Sequence, residues 1–173
     1  MKAFAVWLST TAPSVFIQSH SAWTVPILQS IHIVCIGVVV GSILMINLRI
    51  LGWAGTERTL RQTHSRFSPW QTWGVVVLLI TGLLMLVGEP VREIVSFSFW
   101  AKMVLILLGS GAAVVFERAL DRHEAEWDAR GGAASGLQPL ALATLAIWVL
   151  VMVMGRLIAY DHLWGPLSPA AHH

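Results

Sequence analysis

Three long stretches of the chain carry no charged side chain, and they set its organisation. Residues 3–48, 67–88 and 131–155 contain no Asp, Glu, Lys or Arg, and apolar side chains dominate them. About 20 consecutive apolar residues are enough for a helix to cross the hydrocarbon core of a bilayer. The pattern therefore predicts a polytopic membrane protein.

Helix start and stop signals place three predicted spans along these stretches, and another apolar run, with Lys102 near one end, supplies a fourth. Pro26, the Ser68-Pro69 pair and Pro139 are expected at helix starts, because proline fits the first turn, where its missing N–H costs nothing. The Gly88-Glu89-Pro90 triplet is expected to end a helix. The predicted spans, which lie within a transmembrane domain of residues 24–162, cover residues 25–47, 69–88, 97–117 and 139–160.

The two ends of the chain are expected to lie outside the spans. The apolar stretch Ala3–Leu8 is too short to cross a bilayer, and the polar run that follows it interrupts any signal-peptide core. We expect residues 1–23 to form an interfacial helix, or two half-helices, and residues 163–173 to form a tail. The predicted fold class is all-α: a bundle of four transmembrane helices with an N-terminal interfacial helix.

The composition agrees with lipid burial and narrows the chemistry. Of the 173 residues, 56% are hydrophobic and 12% are charged, whereas soluble domains carry about 25% charged residues. The 11 basic and 9 acidic residues are too scattered for a phosphate-binding surface, so no nucleic-acid partner is expected. The single cysteine, Cys35, allows neither an internal disulfide nor a thiolate metal cluster.

The basic residues predict an orientation. The positive-inside rule places the connections richest in Lys and Arg in the cytoplasm. Two connections, between the first and second and between the third and fourth spans, hold Arg49, Arg58, Arg61, Arg66, Arg118, Arg122 and Arg130. We therefore expect a multi-pass protein of the bacterial inner membrane with both termini in the periplasm.

Four polar groups at membrane depth form the predicted site. An ionisable side chain in hydrocarbon is costly and marks function by default. At 1.5 Å rise per residue, His32 and Lys102 lie about 22 Å from the cytoplasmic ends of their helices, with Arg156 at about 26 Å and Glu89 at about 30 Å. One group from each span thus falls in a band within the periplasmic third of the membrane.

His32 is the predicted metal ligand of this band. Imidazole on a bundle helix is a common axial ligand of b-type haem, which makes haem b the expected cofactor. Gln29 shares the helical face of His32, and His20 and His162 are candidates for the second axial position. The alternative interpretation is a histidine hydrogen-bonded to a neighbouring helix.

Arg156 and Tyr160, one helical turn apart, place a guanidinium and a phenol on one face. With Lys102 they are expected to hold haem propionates, because the planar guanidinium fork suits carboxylates. The alternative for Arg156 is a structural ion pair with Glu89 combined with interaction with lipid headgroups.

Several stretches of the chain resemble a known family. They are Gln18 with Trp23 and Pro26, residues 30–41, Asn47-Leu48-Arg49-Ile50-Leu51-Gly52, Pro69-Trp70, Thr81-Gly82, Phe99 with Lys102, and Gly155-Arg156-Leu157-Ile158-Ala159-Tyr160. On these residues the chain is similar to small bacterial integral membrane proteins catalogued as a domain of unknown function. The resemblance implies a four-helix inner-membrane protein without an assigned activity.

Three functions are compatible with the sequence. The first is electron transfer, or a redox-accessory role, with one b-type haem. The second is a cofactor-free accessory or assembly subunit, and the third is an oligomeric carrier of a small anion or metal. The expected partners are the lipid bilayer, a redox partner or other membrane subunit, and a second copy of the chain. No Walker loop, dinucleotide fingerprint or paired-carboxylate motif is present in the sequence.

Overall fold

The computed structural model describes residues 2–129, 136–158 and 160, with the backbone alone described for residues 123–129. Within these ranges every regular element is a helix, so the all-α prediction is confirmed. The helices are α1 (Lys2–Ser9), α2 (Ala12–Ser19), α3 (Ser21–Leu51), α4 (Leu60–Gly88), α5 (Pro90–Val95), α6 (Phe97–Ala129) and α7 (Gln138–Leu157).

Four of these helices, α3, α4, α6 and α7, are long and apolar enough to cross a membrane. Many of their large apolar side chains are exposed in the isolated chain; Val34, Leu79 and Leu107 are examples. Side chains that face lipid need no cover from the protein, and the hydrocarbon core requires spans of this length. The chain is a multi-pass membrane protein.

The connection between α3 and α4 is set by two capping motifs. Gly52, at a φ of 74°, ends α3: its N–H donates to the carbonyl of Arg49, while the N–H of Trp53 donates to the carbonyl of Leu48. Thr59 and Gln62 then start α4 with reciprocal bonds, each side chain accepting from the backbone N–H of the other residue at 3.1 and 3.2 Å.

The prediction that Pro26 and Pro69 stand at helix starts is wrong. Pro26 and Pro69 lie inside α3 and α4 rather than at their starts, while Pro139 is the second residue of α7. The capping motif at Thr59 starts α4 well before Pro69. Membrane helices also tolerate internal proline, because neighbouring groups satisfy the backbone carbonyl that proline cannot bond.

The N-terminal region consists of two short helices, α1 and α2. α1 packs against α5, and Ala5 on α1 is fully buried. Ile17 on α2 contacts α4 so closely that a Cβ at Gly88 would lie 2.9 Å from its Cγ2. The N-terminal helices therefore pack against the region where α4 ends and α5 begins.

The chain divides into two compact units, which are described separately. The first unit comprises Met1–Ile36, Val75–Val104 and Met152–His173, and the second comprises Gly37–Gly74 and Leu105–Val151. In the first unit Ser96 caps α6 by accepting the N–H of Phe99 at 3.1 Å. The indole of Trp100 donates to the carbonyl of Ile94 at 3.0 Å and fixes α5 against α6.

An apolar cluster forms the core of the second unit. It contains Ile46, Ile50, Leu51, Leu60, Phe116, Leu120 and Ala141. Two polar contacts flank it between α4 and α6: Arg61 forms an ion pair with Asp121 at 3.2 Å, and the imidazole of His64 lies 3.5 Å from the carboxylate of Glu117. Arg49 is only 2% exposed, and its Nε–H donates to the backbone carbonyl of Arg58 at 2.7 Å.

Two glycines of α6 predict a stability difference. A Cβ at Gly109 would lie 3.2 Å from the buried indole of Trp148, whereas a Cβ at Gly111 would meet nothing within 4 Å. Alanine is a better helix former than glycine, so Gly111→Ala should be neutral or stabilising. Gly109→Ala should be less stable than Gly111→Ala by about 1–3 kcal/mol, because the indole must move. Unfolding by sodium dodecyl sulfate in mixed micelles measures both; equal stability would contradict the packing described.

Candidate functional site

Seven of the eight predicted site residues lie in the first unit. They are His20, Gln29, His32, Glu89, Lys102, Arg156 and Tyr160. The eighth, His162, lies outside the described residues. The band expected from helix rise thus corresponds to one compact part of the chain, whose contacts divide the seven residues into separate groups.

His32 is joined to α4 by a hydrogen bond between its ring and the hydroxyl of Thr81. Its Nδ1 lies 2.7 Å from Oγ1 of Thr81, and that hydroxyl lies 2.8 Å from the carbonyl of Val77. A threonine hydroxyl has one proton, and the carbonyl can only accept, so when the hydroxyl donates to Val77 it accepts from Nδ1–H of His32. Gly82 lies against the same imidazole, since a Cβ at this position would lie 3.6 Å from Cε1 of His32.

The other ring nitrogen, Nε2, is left with a lone pair. No described residue forms a hydrogen bond with it. Every buried side-chain nitrogen or oxygen of the described residues has a hydrogen-bond partner. Because Nε2 has none, it is not buried and is accessible at the surface of the chain. A neutral imidazole with Nδ1–H bonded to the protein and Nε2 accessible is the form that binds a metal.

Lys102 is the charged neighbour of His32. Its side chain is half-buried, and its stem lies on α7 at Gly155, where a Cβ would lie 3.7 Å from its Cδ. Its charge interacts with His32 and with Glu93 of α5. The charge of Lys102 thus acts on the imidazole, and the carboxylate of Glu93 acts on the ammonium.

Arg156 and Tyr160 form a second group on an exposed side of α7. The guanidinium carbon lies 5.7 Å from the centroid of the phenol ring, which is a cation–π contact. Glu89 does not form the ion pair with Arg156 that was the alternative interpretation. It is exposed and pairs with Arg92 three residues later, and both line a cleft of about 270 Å³ with Ser9 and Gln18.

His20 is separated from His32. Its Nδ1 lies 3.0 Å from the carbonyl of Phe16 and 3.0 Å from the hydroxyl of Ser19. The helix runs without a break from Ser21, so its rise to His32 is about 16 Å, too far for both imidazoles to bind one iron. Gln29 is exposed on α3.

No three His, Cys, Asp or Glu side chains of the described residues are grouped so that they could hold a metal ion. A haem iron takes four ligands from its porphyrin, so that cofactor needs only one or two protein ligands. The donor at His32 fits this requirement, and a bare metal ion would need more ligands than the described part of the site offers.

A family model described as "Family of unknown function (DUF6644)" matches residues 4–161. The chain belongs to this family. The match runs from α1 past Tyr160 and confirms the resemblance to a family of unknown function. No curated protein and no solved structure gave a significant match.

Two residues of this DUF6644 chain belong to the site although the sequence did not indicate their roles. Thr81 orients His32, and Glu93 interacts with Lys102. A threonine within an apolar helix is a visible signal, but its partner is 49 residues away in the chain. Glu93 lies in the short helix α5, where an acidic residue is unremarkable.

The bond between His32 and Thr81 predicts a measurable loss of stability. Thr81→Val keeps the shape and removes the acceptor, and polar contacts between membrane helices contribute about 0.6 kcal/mol on average. We expect the DUF6644 chain to lose about that amount of unfolding free energy, up to about 1.7 kcal/mol. Thr144→Val is the matched control, since that hydroxyl bonds only the carbonyl of Leu140 in its own helix. Equal losses in both variants would argue against the cross-helix bond.

Proposed function

We propose that the chain binds one b-type haem through Nε2 of His32 and acts as an electron-transfer or redox-accessory protein of the membrane. The observation that carries the proposal is the orientation of His32. Metal-binding histidines almost always donate their second ring N–H to a protein acceptor, which fixes the tautomer and aims the other nitrogen. The Nδ1–H bond to Thr81 supplies that acceptor.

The positive charge of Lys102, which acts on His32, supports the proposal. Haem carries two propionates, and a cation beside the iron ligand would balance one of them. A half-buried ammonium also favours a nearby anion, and a propionate would add to the carboxylate of Glu93. When bound, the haem supplies one-electron chemistry, while the chain fixes the imidazole and neutralises charge.

The proposed location is the bacterial inner membrane with both termini in the periplasm. Seven of the 11 Lys and Arg residues lie in the connections between α3 and α4 and between α6 and α7, or at their flanks. Positive charge near span ends sets orientation toward the cytoplasm. His32 would then lie nearer the periplasmic side, where a redox partner or another membrane subunit could reach it.

An optical spectrum tests the haem proposal directly. The full chain is expressed in cells supplied with a haem precursor, purified in mild detergent and measured before and after dithionite, with iron analysis of the same sample. We expect a Soret band that shifts on reduction and about one haem per chain. A featureless spectrum without iron would overturn the proposal.

A second candidate function is a cofactor-free accessory or assembly subunit, and the same hydrogen bond favours it. A histidine bonded to threonine across two helices is a sufficient structural reason for a polar residue in a span. Under this function His32→Ala lowers the unfolding free energy of a colourless protein. The spectrum of the wild-type chain therefore separates the two candidates.

A further inference from the structure

Arg156 is a charged residue of the first unit that the haem proposal leaves unused. It lies in the last turn of α7, where the helix dipole favours a cation, and its side chain is exposed. It forms no ion pair or hydrogen bond with any described side chain. Its one described contact is the face of Tyr160.

The side chains around Arg156 change from apolar to polar along the helix, as a phospholipid changes from acyl chain to headgroup. Met152 and Val153, one turn before Arg156, are 36% and 43% exposed, and Tyr160, one turn after it, is 42% exposed. Residues three and four apart share one side of a helix. This exposed side of α7 therefore runs from apolar side chains to a guanidinium, and the phenol of Tyr160, just beyond the end of α7, contacts that guanidinium.

A phosphate is the anion that this arrangement fits. Guanidinium presents several N–H donors in a planar fork that matches phosphate oxygens, and a phenol adds one O–H donor. Stacking on Tyr160 holds the guanidinium in place without using a carboxylate. At the end of a span the abundant phosphates belong to phospholipid headgroups, and their acyl chains extend toward the apolar side chains.

We propose that Arg156 and Tyr160 bind the phosphate of an anionic phospholipid whose acyl chain lies along Met152 and Val153. The site is independent of haem and would hold a lipid against α7 on an exposed side of the helix. A free phosphate ion would lack the apolar contact and should not compete.

Native mass spectrometry of the full chain tests the site. The protein is released from micelles containing phosphatidylglycerol or phosphatidylcholine, and the retained lipid is counted. We expect wild type to retain phosphatidylglycerol preferentially, and Arg156→Gln to bind it about tenfold more weakly, which is the loss of one charge-assisted hydrogen bond. Tyr160→Phe should weaken binding less, because the ring still supports the guanidinium.

Arg92→Gln is the matched control, because Arg92 is an exposed arginine of the same unit that is already paired with Glu89. It should retain lipid as wild type does. Equal retention by wild type and Arg156→Gln would overturn the site, and so would an equal loss in Arg92→Gln or displacement of the lipid by inorganic phosphate. If Arg156→Gln lowers haem content and leaves lipid retention unchanged, Arg156 holds a propionate and the lipid site is wrong.

Discussion

His32→Ala should lower the haem content per chain by at least about tenfold. Changes in groups that merely orient a metal ligand cost about 10- to 100-fold in affinity, so loss of the ligand itself should cost no less. Soret absorbance relative to protein, measured on chains purified from haem-supplied cells, gives the result. His20→Ala is the control, because His20 bonds within its own segment and lies too far along the chain to share the iron.

A rescue experiment separates ligation from a structural role. His32→Gly leaves a space at the imidazole, and added imidazole should restore the Soret band if the side chain acts as a ligand. Thr81→Val should keep the band while weakening haem affinity about tenfold, because the acceptor of Nδ1–H is lost. A Soret band that is unchanged in His32→Ala would contradict ligation by His32.

Arg49→Ala should lower the free energy of unfolding by roughly 3 kcal/mol, the largest stability effect expected here. The side chain is 2% exposed, and its Nε–H donates to the backbone carbonyl of Arg58. Removal takes away the side-chain partner of that carbonyl and leaves a cavity against the core of the second unit, and each contributes to the loss. Sodium dodecyl sulfate titration in mixed micelles measures the change.

Arg58→Ala is the matched control for Arg49→Ala. It removes the same charge from the same connection, but the acceptor is the Arg58 backbone carbonyl, which alanine retains. We expect a change below about 0.5 kcal/mol. Arg49→Lys should fall between the two, since lysine keeps the charge and lacks the planar Nε–H. Similar losses for Arg49→Ala and Arg58→Ala would show that charge, and not the buried bond, matters.

The existence of the four long helices could be predicted from the sequence. A helix that crosses the bilayer needs about 20 mostly apolar residues, and this requirement does not depend on how the helices pack. The start of α4 could not be placed as well. Pro69 is a strong helix-start signal in water, but the Thr59-x-x-Gln62 capping box acts nine residues earlier. Both signals are present in the sequence, and only the hydrogen bonds of the structure show which of them starts α4.

The sequence allowed a calculation of the level of each candidate residue along its helix, but not of its side-chain partners. Helix rise along each span places His32 and Lys102 at one level, because that calculation needs no knowledge of packing. The direction of each side chain depends on helix rotation. Arg156 and Glu89, paired in the alternative interpretation of the sequence, instead contact Tyr160 and Arg92 of their own segments. The burial of Arg49, counted in the sequence as a cytoplasmic charge, also depends on tertiary contacts.

The capped connection between α3 and α4 has a consequence for insertion into the membrane. A Schellman turn at Gly52 and a capping box at Thr59 define both helix ends from residues that are neighbours in the chain. Such a hairpin can form as soon as α4 leaves the ribosome, before α6 and α7 are synthesised. Its two helices would then enter the bilayer as a pair, so changes in flanking charge should reverse both together rather than one alone.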